Sequence, residues 1–67
     1  MTSSDVVVAM RNNERVWCWH RSRYHAGFAK SYVIIVKMRN DRDVLVKFVD
    51  DGGRSWFDVS DLERVKD

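Results

Sequence analysis

Residues 43–65, reading DVLVKFVDDGGRSWFDVSDLERV, hold two apolar runs hinged on Asp50-Asp51-Gly52-Gly53 and closed by Ser60-Asp61-Leu62. Val44, Val46 and Phe48 alternate with Lys47, the period-two signal of a half-buried strand. Asp-Gly or Gly-Gly between two such runs is the strongest short-range hairpin cue. Ser60-Asp61-Leu62 then breaks the second strand and turns the chain into a last short segment, residues 63–65. This stretch predicts a hairpin, a tight turn and a short final strand, the ending of a small antiparallel barrel.

The chain has 67 residues, enough for one domain that buries only about 60% of its unfolded surface. A closed barrel suits that size because closure removes sheet edges. Proline is absent and glycines are few, which favours continuous strands. The runs place strands at residues 5–10, 15–20, 44–50 and 54–59, with a long bent segment over 24–38. The β-branched Val33-Ile34-Ile35-Val36 favours strand over helix, and Arg39-Asn40-Asp41-Arg42 reads as a polar turn. No segment reads clearly as a helix, and residues 1–4 are expected to be disordered.

In the strand at 15–20, small and apolar Val16 and Cys18 suit the core. Alternation would then send Trp17 and Trp19 to the other face. Two adjacent exposed indoles form a patch that a monomer rarely leaves uncovered, so this register predicts an extra N-terminal strand, Val6 to Met10, lying over them. The opposite register puts both tryptophans inside.

The segment FVDDGGRSWFDVSDL resembles the Tudor-domain pattern of an aromatic, two residues, a polar or Tyr position, Gly, and later Ser-Asp/Asn-Leu/Ile. Upstream, Tyr24-His25-Ala26-Gly27-Phe28 is similar to that family's second-strand signature. The resemblance spans about residues 15–65 and implies an all-β fold, a five-stranded SH3-like antiparallel barrel. It further implies a non-catalytic chromatin reader in the nucleus, a monomeric module of a larger protein, that holds a methylated cation in an aromatic cage. Such a cation keeps its charge but sheds hydration, so π faces within about 6 Å hold it, helped by a rim carboxylate. Carried over by position, the walls fall on Trp19 or His20, on Tyr24 and on Phe48, with Asp51 at the rim. Asp51 stands where methylarginine readers carry Tyr, and Gly53 where they carry Asn, so methyl-lysine in a histone tail or other basic peptide is the implied ligand.

Each of these residues also has a plain role: Phe48 in the core, Tyr24 as a strand-start packing residue, Asp50 and Asp51 as hairpin formers. Trp56 is expected to point outward if Phe57 and Val59 face the core. Charge supports a second class of function. The net charge is +2, but residues 11–42 carry eight Lys or Arg against Glu14 and Asp41, and residues 43–67 carry four against seven acids. The basic half, with Arg21, Arg23, Lys30, Lys37, Arg39 and Arg42, could bind DNA phosphates. A third reading is a scaffold that takes an unmodified segment on its tryptophan face. Cys18, His20 and His25 are too few for a closed zinc site, and Gly52-Gly53 sits in a hairpin rather than before a helix. Neither catalysis, metal nor cofactor is therefore expected. The single cysteine suits a reducing compartment, and no apolar run reaches the roughly 20 residues of a membrane span.

Overall fold

The computed structural model describes residues 1–22, 24 and 26–65. In chain order they form α1 (Ser3–Arg11), β1 (Arg15–Arg21), β2 (Phe28–Met38), β3 (Asp43–Phe48), β4 (Arg54–Asp58), a 3-10 turn (Val59–Asp61) and β5 (Leu62–Arg64). The strands make one antiparallel sheet in the order β4-β3-β2-β1-β5. Among the described residues no pairing joins β4 to β5, so the sheet is not closed.

The hairpin read from residues 43–65 is present. Between β3 and β4 the Phe48 N–H donates to Gly53 O at 2.8 Å and the Gly52 N–H to Phe48 O at 2.9 Å. Gly52 makes this five-residue loop with a φ of 76°, a left-handed angle that disfavours any Cβ. The turn after β4 is capped twice over: Asp58 accepts from the Ser60 N–H at 3.0 Å, and Asp61 from the Asp58 N–H at 3.3 Å. It delivers Leu62 into the core.

The expected N-terminal strand is instead the helix α1. Thr2 Oγ1 accepts from the Asp5 N–H at 3.2 Å and Asp5 accepts from the Thr2 N–H at 3.3 Å, a reciprocal capping box. Residues 1–4, expected to lack order, thus supply the cap. At the other end Asn13, with a φ of 54°, closes a Schellman motif. Its N–H bonds Met10 O at 3.2 Å and the Glu14 N–H bonds Ala9 O at 2.9 Å. Two good caps and an inward face of Val6, Ala9 and Met10 at helical spacing outweigh the strand preference of three consecutive valines.

Val6 and Ala9 join Val16, Cys18, Val33, Ile35, Val44, Val46 and Leu62 in one buried core. Val16 and Cys18 therefore point inward, and Trp17 and Trp19 face the other side of the sheet from α1. The helix does not cover the indoles. Trp17 stacks on Tyr32, its partner across β1 and β2, with centroids 3.9 Å apart. Lys30 Nζ lies 4.5 Å from Trp17 and 5.5 Å from Trp19.

In β2 the register slips between Ile35 and Lys37, so Val36 is an extra, bulged residue. Without it, strict alternation after Val33 and Ile35 would drive Lys37 into the core. With it, Lys37 pairs with outward Leu45, and Met38 packs against the core.

Candidate functional site

The inner face of the sheet opens at one end, where β1, β2 and β3 run past the helix-covered core. Following Val16 and Cys18 inward along β1 places His20 there. The same alternation brings Ala29 and Ser31 from β2 and Phe48 from β3. A cavity of about 350 Å³ lies between them, completed by Ser22 and Tyr24 from the β1–β2 loop and by Asp50 and Asp51 from the hairpin turn.

Both nitrogens of His20 are engaged. Nδ1 lies 3.1 Å from Arg21 O, a carbonyl that can only accept, so this nitrogen carries the proton. Nε2, 2.8 Å from Ser31 Oγ, then accepts from the hydroxyl in the neutral imidazole. The ring is thereby fixed edge-on to Phe48, with centroids 5.5 Å apart and planes at 88°. Phe48 in turn meets Phe57 at 6.1 Å. This wall continues the core, against which Phe48 and Phe57 pack.

The opposite side is built differently. Asp51 Oδ1 accepts from the Gly53 N–H at 2.7 Å, which orients the carboxylate within the turn. Tyr24 is 94% exposed, and its backbone N–H donates to Ser22 Oγ at 3.2 Å. The residue borders the cavity without packing into the core. A second hollow of about 300 Å³ shares His20, Phe48 and Asp51 and extends toward Arg54 and Phe57.

Of the residues singled out in the sequence, His20, Tyr24, Phe48 and Asp51 therefore border one cavity. Trp19 does not. It lies on the opposite face, where its indole N–H donates to Glu63 at 3.4 Å, because burial of Cys18 fixes the phase of β1. The sequence pattern marks Asp50 as a turn former and as part of an acidic turn resembling that of the lysine-reading members, but not as a cage residue, and it marks no role for Ser31. Period-two counting from Val33 back to Ser31 puts the latter on the inner face.

The six basic residues read as DNA-contacting are placed in different settings. Lys30 and Lys37 stand on the outer face over tryptophan rings. Arg39 pairs with Asp43 at 3.0 Å and Arg42 with Asp58 at 3.4 Å. Both carboxylates are held below the ordinary aspartate range. For Asp43 the chief cause is the hydrogen bond from Arg39; for Asp58 it is the bonds from Ser60. Arg21 ends β1, and Arg23, like His25 of the quoted motif, lies outside the described residues. Cys18 is buried, and desolvation, with the charge of Asp61, pushes its thiol up to about 12. No group of three or more His, Cys, Asp or Glu among the described residues is arranged to hold a metal ion. Comparison of the chain with protein-family models, with curated proteins and with solved structures returns no match.

Proposed function

We propose that this chain is a non-catalytic, Tudor-like reader that takes a methylated lysine of a basic peptide, such as a histone tail, at the open end of its inner face. The observation that carries the reading is the single cavity bordered by His20, Tyr24 and Phe48 together with Asp50 and Asp51. Aromatic and imidazole walls suit a dehydrated cation, and two carboxylates give it a counter-charge. Ser60-Asp61-Leu62 and the short last strand fit the resemblance, and an SH3-like curl of the sheet belongs to the proposal. So do a nuclear location and a monomeric module within a chromatin protein.

Tyr24 is the exposed wall in this reading and meets the cation from the solvent side. Each exposed cation–π contact adds only about 0.5–1 kcal/mol, so affinity is weak, with Kd on the order of 0.1–1 mM. Titration of the labelled domain with trimethyl-lysine, unmodified and dimethyl-arginine peptides tests it. Shifts at His20, Ser31, Phe48 and Asp51 are expected with trimethyl-lysine first. Tyr24→Ala should abolish them while leaving the amide spectrum dispersed. Equal binding by a folded Tyr24→Ala domain would sink the reading.

A further inference from the structure

The sheet face turned away from α1 carries a pattern that the cavity does not use. β1 presents Arg15, Trp17 and Trp19 there, and β2 sets Tyr32 opposite Trp17 and Lys30 opposite Trp19. Trp17 and Tyr32 stack with planes 20° apart, Arg15 lies over Tyr32 at 5.0 Å, and Lys30 spans both indoles. At another corner of the face, Lys37 and Arg39 flank Trp56 at 5.7 and 4.6 Å. Lys47 and Arg54 pair between the two clusters, on β3 and β4. The acids on this side are already engaged: Asp43 and Asp58 by arginines, Glu63 by the Trp19 indole.

We propose that this outer face binds single-stranded nucleic acid, with bases stacking on the aromatic rings and phosphates taken by Arg15, Lys30, Lys37 and Lys47. Charge complementarity selects a polyanion, and the rings select one with flat, unpaired bases. Trp19 and Trp56 keep 41% and 39% of their surface exposed. Trp17 and Trp19, two residues apart on one strand, stand roughly 6.7 Å apart, a spacing that successive unstacked bases can share.

In the free protein each ring is covered by a cation, and the magnitudes favour exchange. A base stacked on an aromatic side chain contributes more than an exposed cation–π contact does. A base entering over Trp19 displaces Lys30, whose ammonium then meets the neighbouring phosphate. A duplex cannot use the rings because its base faces are stacked on each other. The one helix among the described residues, the element a major groove would admit, packs on the inner side.

The test is titration of the full chain with an oligothymidylate or oligouridylate of about ten nucleotides, at about 50 mM salt and upward, read by tryptophan fluorescence and amide shifts. Expected are quenching, shifts at Trp17, Trp19, Lys30 and Tyr32, and a log–log salt slope near −0.7 for each phosphate neutralised. Trp19→Ala should weaken binding roughly tenfold and Trp19→Phe much less, and Lys30→Gln should flatten the slope by about 0.7. Tyr24→Ala should leave this binding intact, which keeps its fate separate from that of the methyl-lysine cavity. The deoxy and ribo arms decide which strand is preferred. No binding at low salt would overturn the proposal, as would equal affinity for a duplex of the same length or for polyglutamate. Shifts confined to the inner cavity, or native affinity and slope in folded Trp19→Phe, Trp19→Ala and Lys30→Gln variants, would overturn it too.

Discussion

At Gly52 and Gly53 one residue step separates two different constraints. A Cβ at Gly52 would meet only Lys47 Cε at 3.7 Å, yet its φ of 76° makes any side chain strained. Gly52→Ala should therefore cost about 1 kcal/mol of stability in urea unfolding, with ligand binding kept. At Gly53 a Cβ would come within 3.0 Å of Asp51 Oδ1. Gly53→Ala should push that carboxylate off its turn bond and weaken the proposed methyl-lysine binding more than stability, a difference that paired titrations and melts would read. Cys18 offers a third check. A buried thiol raised to about 12 should resist maleimide in the native state at pH 8 and react only through unfolding. Labelling at the rate of a free cysteine would contradict its placement.

At the scale of elements, α1 and β2 carry the arrangement. Val6 is fully buried against the sheet, and Val6→Ala should destabilise by roughly 2 kcal/mol through lost burial and the cavity left behind. Indole quenching should not change while the domain stays folded, since the helix and the tryptophans lie on opposite sides. Had an N-terminal strand covered the indoles, quenching would rise. The hairpin was legible because Asp-Gly-Gly chemistry and period-two alternation are local. The helix was not, because Val6-Val7-Val8 favours a strand by propensity while the deciding signals, Thr2 with Asp5 and the Asn12-Asn13 stop, are short and polar. The bulge at Val36 has no signature within its own apolar run. It shows only in the pairing with β3, which keeps Lys37 out of the core.

For the whole molecule, the cavity was partly legible. Position in the sequence pattern pointed to His20, Tyr24, Phe48 and Asp51, but the neighbouring Trp19 could be placed only once burial had fixed the phase of β1. Stability should fall at both pH extremes, for different reasons. Asp5, Asp43 and Asp58 are held below their ordinary range in the folded state by bonds from Thr2, Arg39 and Ser60 respectively. The stability they add is present above the unfolded value near 4 and is lost as pH falls through the folded values. Cys18 works in the other direction. Above about pH 9 the unfolded thiol ionises while the buried one keeps its proton, so stability declines until pH nears 12. Urea melts across pH should show both limbs, and Cys18→Ala should remove part of the alkaline one. The open sheet ends in two strands with unequal defences. β5 is three residues long and turns Glu63 and Arg64 to solvent, while β4 begins at Arg54 and ends at Asp58 beside Arg42. Short length and charge at an unpaired backbone discourage a further strand from adding on, so these edges should keep the protein from self-templating into fibrils at high concentration.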